Sequence, residues 1–409
     1  MYFKVSILLL ATSKCFGQEN QDTSVFRNSL TDKIGNFSIE LLYHTAVHEN
    51  RQNLIMSPFT VWTTLAVISE GATGATRMQI NHAIRIFYKN RERDRSFYKS
   101  IAQWLVVKTN TINLAKANIM AINSANNPNQ DYQEIAKTNY DVDVWPMDFS
   151  SNSVAAENFN GYIKNVTRGL ITNAVDSTSF VDTPMVLASV LYFKAQWTAP
   201  FNASSTTVMP FYDENNQKIG EVNMMYNRYT YGFANMKHLK ARVLELKYGI
   251  EDRLSMIIMV PHFGVSLEDM FRNFLTVQLD SFFEELRVSK EEYSEEEVDC
   301  FLPRFKIDSN IDLSEILKER MGIVDMFDPR KALLGHIARS SVYVSKIVHK
   351  AVIEVTEEGT SAAAVSVAEF TNRMGVVRFE ANKPFAYIIV EKNTNAIVFG
   401  GVYIQPSLH

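Results

Sequence analysis

Apolar positions change their spacing along the chain. In SPFTVWTTLAVISEGATG (57–74), Val61, Leu65, Ala66 and Ile68 fall at helical intervals. Ser57 can cap that helix, Pro58 suits its first turn and Gly71 supplies a stop. SLEDMFRNFL (266–275) and LSEILKERMG (313–322) predict further helices. Other stretches are short, nearly continuous apolar runs rich in β-branched and aromatic residues: MVLASVLYF (185–193), SMIIMVP (255–261), FAYIIVE (385–391) and AIVFGGVYI (396–404). Such runs predict strands covered on both faces. The first two-fifths read as mainly helical and strands gather later, which predicts a large mixed domain around extensive sheet, not an alternating βαβ array. No Pro/Gly/Ser linker or repeat interrupts residues 24–406, so they read as one domain.

Composition narrows the class. Of 409 residues, 46% are hydrophobic and 21% charged, the balance of an ordinary globular protein. MYFKVSILLLATSKCFG (1–17) pairs Lys4 with a short apolar stretch and small residues, the pattern of a secretory signal peptide cleaved near Gly17, leaving 18–409 as a single domain. Removing the leader moves the formal charge from −4 to −6 by taking away Lys4 and Lys14, and this mild acidity argues against nucleic-acid binding. No stretch is long and apolar enough to span a membrane. Cys15 lies in the leader, so Cys300 stands alone afterwards and reads as a buried small residue. Asn36, Asn165 and Asn202 begin N-x-S/T sequons, as suits a secreted glycoprotein.

No enzyme signature is present. G-x-S-x-G, H-E-x-x-H and G-x-x-x-x-G-K-[ST] are absent, and GATGAT (71–76) follows a helix instead of a strand. The eight histidines lack metal-ligand spacing, so neither a metal nor a cofactor is expected. EEYSEEEVD (291–299) reads as a solvated acidic turn.

One segment is unusual. In EEGTSAAAVSVAEFTNRM (357–374) a strand-forming run, VIEV, passes through Gly359 into residues that are nearly all small. Alone, the run is equally compatible with a helix, because alanine favours helices, or with a linker, although it is poorer in Gly, Ser and Pro than linkers are.

Five segments, in order, resemble the serpin family across nearly the whole chain. NLIMSPFTVWTTLAVISEGATGATRMQI (53–80) is similar to the family's N-x-x-x-S-P to G-A-x-G-x-T segment, and VLASVLYFKAQWTAPF (186–201) to its Y-F-K-G-x-W strand. FLPRFKID (301–308) resembles the L-P-K-F strand, KIVHKAVIEVTEEGTSAAA (346–364) the entry to the reactive loop, and NKPFAYIIVEKNTNAIVFGG (382–401) the closing strand pair. Three departures stand out: Ser189 for asparagine, Ala195 for the glycine before Gln196-Trp197, and Val402 for an arginine.

The resemblance implies an α+β fold: many helices around a large central sheet, two smaller sheets, and an exposed reactive-centre loop over about 357–378. It implies a polar cluster beneath the sheet at Ser57, Thr60, Ser189 and His349. It also implies a protease inhibitor, not an enzyme. A protease cuts the loop, and the freed strand inserts before the acyl-enzyme is hydrolysed. The hinge would be Glu357, Gly359, Thr360, Ser361, Ala362, Ala363 and Ala364. Inserted as a strand, Thr360, Ala362, Ala364, Ser366 and Ala368 would turn inward, and all are small enough to avoid overpacking. Ser361 stands where the family commonly has glutamate.

Counting on from the hinge, as in the family, gives Arg373–Met374 as the reactive bond, suited to a trypsin-like serine endopeptidase. Thr371–Asn372 is the alternative, with Phe370 as specificity residue for a papain-like or cathepsin L-like cysteine protease. A non-inhibitory carrier or storage role is the third reading, against which the inward set contains no bulky, charged or proline residue. Lys89, Arg91, Arg93, Arg95 and Lys99 sit near the family's glycosaminoglycan-binding helix, with Glu92 and Asp94 interrupting them, which suggests at most weak glycosaminoglycan binding. A monomer is expected.

Overall fold

A computed structural model describes residues 19–50, 52–86, 91–105, 109–250, 253–293, 296–358 and 376–409, with side chains from Leu30 onward. Strands and helices are numbered in chain order. The described residues include nine α-helices: α1 (Glu19–His48), α2 (Pro58–Gly71), α3 (Gly74–Ala83), α4 (Arg91–Trp104), α5 (Gln130–Tyr140), α6 (Asn152–Val166), α7 (Leu267–Phe274), α8 (Leu279–Glu292) and α9 (Ser314–Glu319). None is long and apolar enough to cross a membrane.

The strands form three sheets. A five-stranded sheet runs β11 (Phe305–Asp312), β12 (Lys346–Val355), β4 (Met185–Ala195), β2 (Ile112–Asn123) and β3 (Asp143–Met147). A six-stranded sheet runs β1 (Leu54–Met56), β15 (Ala396–Tyr403), β14 (Phe385–Glu391), β9 (Leu254–Pro261), β8 (Ala241–Tyr248) and β7 (Gly232–Met236). A four-stranded sheet runs β13 (Val377–Glu380), β10 (Val298–Pro303), β6 (Lys218–Tyr229) and β5 (Thr207–Tyr212). The apolar runs read as doubly covered strands are β4, β9, β14 and β15. Every residue of β9, β14 and β15 is buried, and β4 is buried except at Lys194.

The reason lies in the layering. One core fills the space between the five- and six-stranded sheets, where Phe193 of β4 meets Phe399 of β15 with ring centroids 5.2 Å apart. A second, smaller core lies on the other face of the five-stranded sheet, where Phe159 and Ile163 of α6 cover Val186, Ala188 and Val190 of β4 and Val348 and Val352 of β12. Alternate residues of β4 therefore enter different cores.

Helix α2 differs from its sequence pattern. The spacing predicts one apolar face, yet all of its residues except Glu70 are buried, because it packs against both β15 and β4. Ser57 caps it, accepting from the Thr60 N–H. Gly71 ends it and also leaves room for a neighbour: a Cβ there would lie 2.1 Å from Ile337. Helix α9 is shorter than predicted, because the chain leaves it before Gly322, which takes a left-handed φ of 70°.

Candidate functional site

Strand β12, which leads into the small-residue run, pairs in parallel with β4 from Lys346↔Val186 to Ile353↔Phe193. Its other neighbour, β11, is antiparallel. A strand that turns back from the end of β12 and enters between β12 and β4 is antiparallel to both. It replaces one slanted parallel ladder with two perpendicular antiparallel ones, the slightly more stable pattern per residue.

The predicted polar cluster lies on this seam. Ser189 of β4 and His349 of β12 are directly opposed, and Asn118 of β2 faces Ser189 from the other side, so the three form one row. The row faces α2. Ser189 donates to Thr60 Oγ1 (2.6 Å), Thr60 Oγ1 donates to the Ser57 carbonyl (3.0 Å), and Ser57 Oγ donates to the Val398 carbonyl (2.6 Å). The Ser57 N–H donates to His349 Nε2 (2.9 Å), tying the capped end of α2 to β12. That bond places the imidazole proton on Nδ1. Burial pushes the His349 pKa down to about 3, so the ring is neutral.

Two polar atoms of the row have no protein partner among the described residues: His349 Nδ1, a donor, and Asn118 Oδ1, an acceptor. They flank Ser189. The Ser189 hydroxyl donates to Thr60 and bonds to neither. The cluster predicted from sequence is thus brought together at all four positions, and the departure at Ser189 leaves it incomplete. Asn118 is the member that sequence reasoning missed, because the row exists only once β2 lies beside β4.

The entrance to the seam is anchored separately. Glu357 is only 6% exposed, and its Oε1 accepts from Thr206 Oγ1 (2.7 Å) and Arg304 Nη1 (3.2 Å). Its carbonyl accepts the Phe201 N–H (2.8 Å), and Trp197 Nε1 donates to the neighbouring Thr356 carbonyl (2.8 Å). Trp197 is held by stacking on Tyr248, centroids 4.4 Å apart. Arg304 also donates to the main-chain oxygen of His409 (2.7 Å), as does Asn223 (2.8 Å). Glu357, read as the first residue of the hinge, is therefore a fixed post at its start. Arg304 and Trp197 lie inside motifs quoted from the sequence, but their partners come from residues more than fifty positions away.

The rest of the predicted loop lies outside the described residues: Gly359, Thr360, Ser361, Ala362, Ala363, Ala364, Phe370, Thr371, Asn372, Arg373 and Met374. Description resumes at Val376, and β13 pairs in parallel with β10. Among the sequons, Asn36 and Asn165 are exposed and Asn202 is half-buried. Cys300 is fully buried in β10, and burial pushes its thiol pKa well up, as befits a packing residue.

The basic run on α4 is turned partly inward. Arg95 makes a bidentate pair with Glu70 (Nε–Oε1 and Nη2–Oε2, each 2.7 Å), Arg91 pairs with the same carboxylate, and Tyr140 donates to it (2.9 Å). Burial alone would raise the Glu70 pKa, but the Arg95 hydrogen bonds and the Arg91 charge outweigh it and hold the carboxyl below its usual range. Arg93 lies over the Phe97 ring at 4.8 Å, and Lys89 falls outside the described residues.

Comparison with known proteins agrees with this architecture. Residues 32–406 match the family model described as serpin (serine protease inhibitor). The chain is 30% identical to human Serpin B8 over 390 residues, covering 93% of this chain and all of that protein. It is 31% identical to Serine protease inhibitor 42Dd of Drosophila melanogaster over 362 residues, 88% of this chain and 92% of that one. The crystal structure of Manduca sexta Serpin-12 superposes with a TM-score of 0.79 over 92% of this chain and 99% of that chain, at 23% identity, a likeness of fold. The α+β arrangement of helices and three sheets, with a parallel seam fed by the strand before the loop, thus belongs to a protease inhibitor and not an enzyme: the chain is a member of the serpin family.

Proposed function

We propose that this serpin is a secreted suicide-substrate inhibitor whose target is a trypsin-like serine endopeptidase cutting Arg373–Met374. The observation that carries the reading is the seam: β12 runs directly into the small-residue segment and meets β4 in parallel, so a severed loop that folds back gains a ladder on each side. The target's serine attacks the Arg373 carbonyl, the Arg373–Met374 bond breaks, and the Met374 amine leaves with a proton, giving an acyl ester. Insertion then competes with hydrolysis of that ester. Thr360, Ala362, Ala364, Ser366 and Ala368 are small enough to enter without the overpacking cost of about 1–3 kcal/mol that each misfit brings. The leader pattern at 1–17 supports secretion, and Asn36, Asn165 and Asn202 are proposed glycan sites.

The reading is tested by mixing the purified protein with trypsin-like and papain-like proteases and resolving the products in boiling detergent. A covalent complex with a serine protease, and a released peptide beginning at Met374, are expected. A peptide beginning at Asn372 in complex with a papain-like enzyme would shift the target to cysteine proteases, with Phe370 read at the second position. Complete cleavage with no complex would make the chain a substrate or carrier and overturn the inhibitor reading.

A further inference from the structure

A cleft of about 1030 Å³ between α1, α3 and the turn after α9 takes no part in the seam. Arg77, Arg85 and Arg320 line it, and Glu40 is the one carboxylate in its wall. The chain as a whole carries a formal charge of −4, so this cleft reverses the sign of the molecule.

Glu40 neutralises Arg85, so the cleft's excess cation is that of Arg77 and Arg320. Arg85 Nη2 donates to Glu40 Oε2 (2.7 Å) and Nη1 donates to the Ala83 carbonyl (3.1 Å). Arg85 also takes a left-handed φ of 58° at the end of α3, a position that favours glycine, so its side chain leaves the helix in a fixed direction. Arg320, just past α9, is exposed and forms no ion pair among the described residues. Met78, Ala83, Ile86 and Met321 supply the apolar part of the wall, and Thr73, Asn81 and His82 its uncharged polar part. Met78 is 67% exposed, a large side chain on a face that does not bury it. Thioethers adapt to ligands of varied shape.

We propose that this cleft binds an amphipathic organic anion, a carboxylate or sulfate carried on an aliphatic body. The head group pairs with Arg320, and the body covers Met78, Ile86 and Met321. A neutral lipid leaves the guanidinium of Arg320 without its charge-assisted bonds, and a small mineral anion leaves the methionines in water. The volume is that of a cleft for a small organic molecule. The site shares no residue with the seam, so its fate does not decide the inhibitor reading.

Calorimetric titration of the full chain with dodecanoate below its micellar concentration tests it. One saturable site is expected. Arg320→Gln should weaken binding about tenfold, the loss of one charge-assisted contact, and Met78→Glu should remove saturable binding. Arg330→Gln, at an exposed arginine outside the cleft, should bind as the parent does. An unchanged melting temperature identifies the variants as folded. The proposal is overturned if dodecanoate gives no saturable signal, if Arg320→Gln binds as tightly as the parent, or if dodecanol or acetate binds with equal affinity. Cosedimentation with phosphatidylserine vesicles in the absence of dodecanoate binding would overturn it in favour of a membrane surface.

Discussion

The seam between β14 and β15 and the seam between β12 and β4 lie across one core from each other and are built oppositely. The first is antiparallel and its side chains are all buried. It is packed to contact: a Cβ on Gly401 would lie 1.9 Å from the Leu54 carbonyl oxygen, and one on Gly400 would lie 2.4 Å from Leu42. Its polar atoms are paired, since Tyr387 donates to the Leu54 carbonyl (2.9 Å) and the buried Glu391 accepts from Thr394 through both N–H and hydroxyl. The second seam is parallel and carries a polar row with two unpaired atoms. A sheet that must stay shut is sealed by backbone contact and satisfied polar groups. The seam that we propose admits a strand has the weaker ladder and an incomplete network.

The largest test of this contrast is acid. With the folded His349 pKa near 3 and the unfolded value near 6.5, the unfolded chain binds more protons between those limits. Stability from this group is present above pH 6.5 and is lost as pH falls towards 3, by roughly 5 kcal/mol over the full window. His349→Gln should show a flatter melting-temperature profile between pH 7 and 4 than the parent. Equal slopes would remove His349 as the acid-sensitive element.

Gly401→Ala addresses the sealed seam. The added methyl meets main chain, which cannot rotate away, so a loss of about 3 kcal/mol is expected in denaturant unfolding. A loss no greater than that of an exposed strand substitution would show that this seam also yields. Glu357→Lys at the entrance sets a cation beside Arg304 and removes the acceptor for Thr206. About 2 kcal/mol should be lost, discounted because Arg304 is one-third exposed. Insertion of an added peptide spanning 359–372 should also become faster. Unchanged insertion would mean that the post does not guard the seam.

Ser189→Asn is the smallest and the most pointed. An amide here can accept from His349 Nδ1–H and donate to Asn118 Oδ1, closing the row. A gain of about 1 kcal/mol and slower peptide insertion are expected. Destabilisation would show that the site has no room for the amide.

Much was written in the chain itself. Apolar runs gave β4, β9, β14 and β15, and Ser57 and Pro58 gave the start of α2. Each is a local signal, because helix capping and strand alternation act over a few residues. Tertiary structure alone decided that α2 is buried on nearly every side, that Asn118 stands beside Ser189, that Glu357 is clasped by Thr206 and Arg304, and that Arg91 and Arg95 turn inward to Glu70. These pairings join residues from roughly twenty to well over a hundred positions apart, and no period in the sequence encodes which distant strand becomes a neighbour. Local chemistry chose the elements, and the burial of both faces of one sheet chose their partners.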